Sequence, residues 1–156
     1  MLKWLRVIPD DAVGIAAARE MFEEYQRELG IDLCFQGFQD ELETLPGHYG
    51  PPSGCLYLVH FNSELAACGA LRQLEPGVCE LKRIYVRPAF RRMGIALKLS
   101  MSLMTFGIEN GFKVCRLDTL RRLEGAVEMY AAMGFKEIEP YNHNPELDIV
   151  YMERAL

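Results

Sequence analysis

The segment 79–99 constrains the fold most, because it combines a strand, a turn, a glycine loop and the start of a helix. Val78–Val86 is rich in apolar and β-branched residues, which predicts a strand. Pro88 ends that strand, since proline cannot donate to a ladder and keeps the preceding residue extended. Gly94 then precedes an apolar run that predicts a helix to about Asn110. Because the first turn of a helix leaves backbone N–H groups without intrahelical partners, the segment predicts a phosphate-binding loop.

The charge distribution agrees with that prediction. The net charge of the chain is −5, but the window 82–98 contains six cations and no acid, which leaves −11 for the remainder. An acidic protein that gathers cations at one loop indicates a multiply anionic ligand there. The alternative is a solvated basic turn before a core helix. The cations are Lys82, Arg83, Arg87, Arg91, Arg92 and Lys98.

The predicted strand contains a change of phase. Cys79 and Leu81 alternate on one face, whereas the next apolar pair, Ile84 and Val86, has the opposite parity. One extra residue near Lys82-Arg83 would return all four side chains to one face, which predicts a β-bulge. Bulges are frequent beside active sites, where they leave backbone groups available to a ligand.

Two blocks of sequence resemble one known superfamily. Arg91, Gly94 and Ala96 match the motif Q/R-x-x-G-x-G/A after a bulged strand, and the block 126–135 is similar to A-x-x-x-Y-x-x-x-G-F. In order and spacing these blocks resemble the GCN5-related N-acetyltransferase (GNAT) superfamily. Two positions depart from it: Ala96 stands where many members have glycine, and Leu123 stands where many have asparagine.

The resemblance implies an α/β fold of the mixed α+β kind and one domain over residues 1–156. Its centre would be a mixed, mostly antiparallel seven-stranded sheet with a splayed parallel pair, flanked by about four helices. The sequence pattern gives the order β-α-α-β-β-β-α-β-α-β-β, with the unit 78–118 expected to be parallel and right-handed. Strands are predicted at 3–8, 55–61, 64–74, 78–86, 113–118, 135–141 and 149–154. Helices are predicted at 11–29, 36–45, 95–110 and 123–133, with a loop at 48–53.

Acetyl transfer to an amine sets the requirements for the catalytic residues. A lysine-like amine has a pKa of about 10.4, so a general base must take its proton at neutral pH. Glu80 is the candidate base, because it stands eleven residues before Arg91, as the strand glutamate does in the family. The alternative is a surface carboxylate paired with Lys82 or Arg116. Tyr130 is the candidate acid for the leaving thiolate, and the alternative is a core tyrosine.

The resemblance also implies where the two substrates bind. Acetyl-CoA would be the co-substrate, with its pantetheine along the strand and its diphosphate on the loop. The candidate coenzyme-binding residues are Ile84, Tyr85, Val86, Arg91, Arg92, Met93, Gly94, Ile95 and Ala96. The acceptor site would lie between the first two helices and the last strands. The candidate acceptor-site residues are Phe35, Gln36, His48, Tyr49, Arg72, Tyr141 and Asn142.

Composition bounds the remaining properties. No segment is long and apolar enough for a membrane span, and the first residues have no signal-peptide layout. The five cysteines include no C-x-x-C pair and share no ligand spacing with the histidines, so we expect reduced cysteines and no metal. A cytoplasmic enzyme is expected, acting on a small-molecule amine by direct attack in a ternary complex, with no nucleic-acid or membrane partner; a homodimer is left open. The alternatives are a protein or peptide N-acetyltransferase, an acetyl-CoA sensor without turnover, or another nucleotide-binding enzyme.

Overall fold

The computed structural model describes residues 1–33 and 37–156. Within these residues one sheet contains the strands β1 to β7 in the order β1-β2-β3-β4-β5-β7-β6. The strands are Leu2–Arg6, Cys55–Phe61, Glu64–Glu75, Val78–Val86, Val114–Leu120, Lys136–Ile138 and Ile149–Ala155. The α-helices, α1 to α4, are Ala12–Leu29, Phe38–Thr44, Ile95–Glu109 and Glu124–Ala132. No helix in the described part of the chain is long and apolar enough to cross a membrane.

The sheet is antiparallel except at its centre, where β4 and β5 are parallel. Their pairing runs from Val78 opposite Val114 to Glu80 opposite Arg116 and stops there. Beyond Glu80 each strand continues without the other. The predicted seven-stranded sheet with a splayed parallel pair is therefore confirmed.

The predicted bulge lies in β4. Cys68 of β3 pairs with Tyr85, whereas Ala70 pairs with Lys82, so two residues of β4 are opposite one of β3. Arg83 adopts a φ of 60°, in the left-handed region that non-glycine residues rarely occupy. The bulge returns Ile84 and Val86 to the face of Cys79 and Leu81, where all four contact one hydrophobic cluster.

The sheet is covered by hydrophobic clusters on its two faces. One cluster packs α3 and α4 against the sheet through residues such as Leu99, Leu103 and Tyr130. The other packs α1 and α2 through residues such as Phe22 and Leu42. The side chain of Asp11 accepts a hydrogen bond from the Gly14 amide and caps α1. Within the described residues, Cys55, Cys68, Cys79 and Cys115 are buried and unbridged.

Some predicted boundaries are wrong. The strand predicted at 135–141 is limited to Lys136–Ile138, and Pro140, which cannot donate to a ladder, follows shortly after. The predicted loop at 48–53 begins within a 3₁₀ turn, Gly47–Tyr49, in which the Tyr49 amide donates to the Pro46 carbonyl at 2.8 Å.

Candidate active site

The splay between β4 and β5 opens a cleft of about 660 Å³, here called the splay cleft. Its walls are β4 from Leu81 to Val86, β5 from Leu117 to Thr119, and residues of α4 that include Tyr130. The start of α3 and the end of α1 form its mouth. A groove between parallel strands, at the carboxyl end of their pairing, is a usual place for a ligand in such sheets.

The N-terminus of α3 faces this cleft without a capping side chain. Gly94 is the N-cap residue, with a φ of 74°, and no side chain caps the helix. A Cβ at Gly94 would meet no described atom within 4 Å, so the space in front of the helix is open. The first amides of α3, from Ile95 onward, therefore point their partial positive charge into open space beside the cleft.

The candidate coenzyme residues mostly converge on the splay cleft. All of them line it except Met93, whose side chain is 40% exposed. Tyr85 turns its hydroxyl toward α1 and donates to Glu24 at 2.8 Å. Leu123, at the position of the family's asparagine, also lines the cleft, and its side chain supplies no capping hydrogen bond to α4.

Three arginines of the segment 82–98, here called the basic window, form ion pairs with α1 and α2, which the sequence did not predict. Arg83 binds Glu41 of α2 through two nitrogens, at 2.8 and 2.9 Å, and the arginine side chain is 3% exposed. Arg87 pairs with carboxylates of α1, and Arg91 donates to Glu28 at 2.6 Å. Much of the charge that suggested an anionic ligand therefore attaches α2 to β4 and α1 to the residues that follow β4.

Glu80 lies on β4 where the pairing with β5 ends, and its side chain is fully buried. Arg72 donates to its Oε1 at 2.8 Å, and the hydroxyl of Tyr141 donates to its Oε2 at 2.6 Å. The alternative of a surface carboxylate paired with Lys82 or Arg116 is wrong on both burial and partner. Glu80 is absent from the lining of the splay cleft.

Tyr130 lines the splay cleft from α4 and is 6% exposed. Its ring meets Phe135 edge-on at a centroid distance of 5.7 Å. Burial raises the pKa of Tyr130 well above its usual range, so its hydroxyl keeps its proton at neutral pH.

A second cavity of about 410 Å³, here called the side cavity, lies between α2, the turn Gly47–Tyr49 and the sheet. Four of the candidate acceptor-site residues line it: His48, Tyr49, Arg72 and Asn142. Tyr141 contacts Glu80 instead, and Phe35 and Gln36 lie outside the described residues. Lys82 lines both the side cavity and the splay cleft.

Two charged groups, Lys82 and Asp118, meet near these cavities, and the sequence analysis gave neither a role in catalysis or in acceptor binding. Lys82 is 8% exposed, and burial followed by the charge of Arg83 lowers its pKa. Asp118 of β5 lines the splay cleft, and its Oδ2 is buried without a hydrogen-bond partner among the described residues. Burial raises the pKa of Asp118, while Lys82 opposes that change. Two features of the sequence could have indicated them. Lys82 lies two residues after Glu80 in an apolar strand and so shares its face, and Asp118 lies near the end of the neighbouring strand.

The described residues hold no group of three or more His, Cys, Asp or Glu side chains able to bind a metal ion.

Comparison with known proteins agrees with this geometry. A family model described as the acetyltransferase (GNAT) family matches residues 15–135. An uncharacterized N-acetyltransferase of Schizosaccharomyces pombe is 39% identical over 134 residues, which cover 85% of this chain and 82% of that protein. The uncharacterized N-acetyltransferase YjgM of Escherichia coli is 34% identical over 135 residues, covering 85% and 80%.

Solved structures share the fold. A GNAT-family acetyltransferase of Staphylococcus aureus superposes with a TM-score of 0.80 at 20% identity over 99% of both chains. The PaiA N-acetyltransferase of Thermoplasma acidophilum, solved with coenzyme A, superposes with a TM-score of 0.73 at 18% identity, covering 100% of this chain and 99% of that one.

Fold and site thus define an acyltransferase of the splayed-sheet type, dependent on acetyl-CoA. The chain belongs to the GNAT family of acetyltransferases, and the predicted class of enzyme, an acetyl-CoA-dependent N-acetyltransferase, is confirmed.

Proposed function

We propose that this enzyme transfers the acetyl group of acetyl-CoA to a primary amine of a small molecule, by direct attack within a ternary complex. The observation that carries the proposal is the meeting of two cavities at Lys82. Acetyl-CoA in the splay cleft and an amine in the side cavity would meet beside the β4 bulge. The side cavity, at about 410 Å³, is in the size range of small-molecule sites.

The splay cleft would hold the coenzyme. The first amides of α3 suit its diphosphate, because a helix N-terminus offers several N–H donors and a favourable dipole to an anion. Backbone groups of Ile84, Tyr85 and Val86, on the part of β4 that β5 leaves unpaired, would bind the pantetheine arm in the manner of an added strand. Arg92, which is exposed and lines the cleft, would add charge at its mouth.

Glu80 would accept the proton of the acceptor amine through a relay. Because Glu80 is buried and absent from the lining of both cavities, a hydroxyl or a water has to connect it with the amine. The hydroxyl of Tyr141, at 2.6 Å from Glu80, would be one member of this relay, and a water would link it to the amine because Tyr141 lines neither cavity: the water takes the proton of the amine and passes one to Tyr141, whose own proton goes to Glu80. Burial and the charge of Glu80 raise the pKa of Tyr141, which keeps the hydroxyl protonated before the transfer. Arg72 holds the carboxylate in position.

Tyr130 would protonate the departing thiolate. Tyr130 belongs to the wall of the splay cleft, on the helix that faces the splayed strands, and its hydroxyl is protonated at neutral pH. A thiol has a pKa of about 8.5, so a thiolate leaves readily and the acid contributes less than the base. The amide product and the free thiol of coenzyme A then leave by separate cavities.

The test is release of the coenzyme thiol from acetyl-CoA over a panel of polyamines, amino acids, amine-bearing drugs and N-terminal tripeptides. We expect saturable turnover on at least one small amine. Turnover on the tripeptides alone would contradict the small-molecule assignment. Saturable binding of acetyl-CoA with no turnover on any amine would indicate a sensor.

The same assay tests the relay. Glu80→Gln should lower kcat by about 10²-fold or more at neutral pH, the usual range for a lost general base. The deficit should shrink as the pH rises, because hydroxide then removes the proton. Tyr141→Phe should give a similar loss, and the double variant little more than either, since both act on one proton. Glu137→Gln, in an exposed pair with Arg121, is the control and should leave the rate unchanged. Additive losses would refute the relay.

A further inference from the structure

Lys82 differs from every other lysine of the chain in its surroundings. The sequence contains five lysines, and Lys3, Lys98, Lys113 and Lys136 are exposed. Lys82 is 8% exposed and lies on β4 immediately before the bulge residue Arg83. A lysine is rarely buried to this extent, because burial of its charge is costly. The burial of Lys82 therefore needs an explanation, whereas the exposed lysines need none.

The place of Lys82 is the junction of the two cavities. It lines the splay cleft, which suits acetyl-CoA, and it lines the side cavity, from which an acceptor amine would approach. Its own side chain ends in a primary amine, the same chemical group as the acceptor. Lys82 therefore stands beside the path along which the enzyme brings an amine to the thioester.

The charges around Lys82 also affect its reactivity. Burial, and then the positive charge of Arg83, lower the pKa of Lys82, and Arg72 acts in the same direction. The carboxylates of Glu80 and Asp118 raise it, but the net change is downward. A larger fraction of this amine is thus neutral at a given pH than for an exposed lysine, and the neutral amine is the nucleophile.

We propose that Lys82 is a site of self-acetylation, modified by acetyl-CoA bound in the splay cleft when no acceptor amine occupies the side cavity. The inference rests on the proposed binding of the coenzyme. The lone pair of Nζ attacks the carbonyl carbon of the thioester, a C–N bond forms and the C–S bond breaks. The sulfur leaves with the electron pair and takes up the proton that Nζ loses, so the products are Nε-acetyl-lysine and the free thiol of coenzyme A.

The modification has a direct consequence for the site. An acetyl group removes the positive charge of Lys82 and adds bulk where the two cavities meet. Acetylated enzyme should therefore turn over acceptor amines more slowly than unmodified enzyme. Conversely, a saturating acceptor should protect Lys82, because it occupies the side cavity and consumes the acetyl group.

The experiment uses the full chain incubated with acetyl-CoA and no amine, followed by intact mass measurement and peptide mapping. We expect one acetyl group per chain, located on Lys82 and added roughly tenfold or more faster than on any exposed lysine, since the amine is held beside the donor. Lys82→Arg should abolish this product, whereas Lys113→Arg, at an exposed position, should not. Acetyl phosphate, a donor that does not need the cleft, should modify the four exposed lysines in preference to Lys82.

Other results would overturn the proposal in recognisable ways. Equal rates at exposed lysines and Lys82 would indicate ordinary chemical acetylation. No product on Lys82 in a preparation that turns over an amine would refute self-acetylation and leave the proposed function intact. A preparation that shows no calorimetric binding of acetyl-CoA would refute both.

Discussion

Replacing Gly94 by alanine tests whether the α3 N-terminus is the diphosphate site, and the chain offers a matched control for it. Gly94 and Gly77 both have positive φ, 74° and 80°, and a Cβ at either would meet no described atom within 4 Å. Gly77 lies in the turn between β3 and β4 and does not line the splay cleft. The two substitutions therefore impose the same backbone cost, and Gly94→Ala alone changes the space in front of the helix.

The magnitudes follow from these two effects. A Cβ in the left-handed region costs about 1 kcal/mol in the free energy of unfolding, for Gly94→Ala and Gly77→Ala alike. At Gly94 the new methyl group would also occupy the open space in which the diphosphate is expected. Loss of one charge-assisted hydrogen bond is worth about 1.5–3 kcal/mol, so the Kd for acetyl-CoA should rise roughly 10- to 150-fold.

The measurement is isothermal titration calorimetry of both variants with acetyl-CoA and with free coenzyme A, beside urea unfolding. We expect equal losses of stability, weakened binding for Gly94→Ala alone, and the same weakening for both ligands, because they share the diphosphate. Equal affinities in the two variants would refute the assignment of the diphosphate to this helix.

Three further substitutions probe the surroundings of the site. Glu41→Gln should lower the free energy of unfolding by about 1.5–3 kcal/mol in urea denaturation, because it removes the carboxylate charge that pairs with the buried Arg83 guanidinium. Tyr130→Phe should lower kcat about tenfold with little change in the Kd for acetyl-CoA, measured by thiol release and calorimetry. Asp118→Asn should raise the Tm at neutral pH. Burial raises the pKa of the Asp118 carboxyl in the folded state, so ionisation destabilises the folded state increasingly as the pH rises from the unfolded pKa of 3.8 to the folded pKa. The gain in Tm should therefore vanish as the pH falls below 3.8.

Each of these has a control on the same element or of the same residue type. Glu43→Gln, on the exposed side of α2, should change stability by less than about 0.5 kcal/mol. Tyr57→Phe, which changes a tyrosine packed against Trp4 outside both cavities, should leave kcat unchanged. A stability loss as small for Glu41→Gln as for its control would show that the Arg83 pair does not hold α2. A Tm gain for Asp118→Asn that persisted at low pH would show that charge burial is not its cause.

The local features of the fold could be predicted because their causes are local. The change of parity among the apolar residues of β4 predicted the bulge. Pro88 predicted the end of β4, and Gly94 predicted the start of α3. The strand β6 is shorter than predicted: Phe135, Ile138 and Tyr141 are residue types that favour a strand, but Pro140 cannot donate to a ladder.

The site was less accessible to sequence reasoning, because its pairs join residues far apart in the chain. The bond between Arg72 and Glu80 crosses from β3 to β4, and Tyr141 reaches Glu80 from beyond β6. The six cations of the basic window could be counted, but the carboxylates of α1 and α2 that neutralise several of them depend on how the helices dock. The position of Lys82 between the two cavities could not be predicted, because it depends on the shapes of both cavities in the folded protein.

The attachment of α1 and α2 through Arg83 of β4 and through Arg87 and Arg91, which follow it, bears on how acceptor preference can be altered in this family. Helix α2, which borders the side cavity, is attached by an ion pair to β4, and helix α1, which borders the splay cleft, is attached by ion pairs to the residues that follow β4. A graft of the segment 12–49 from a relative would bring new cavity walls, but it would fit only if it supplied acids opposite Arg83, Arg87 and Arg91. To exchange acceptor specificity between relatives, the charges that pair with these arginines must therefore be matched, in addition to reshaping the cavity.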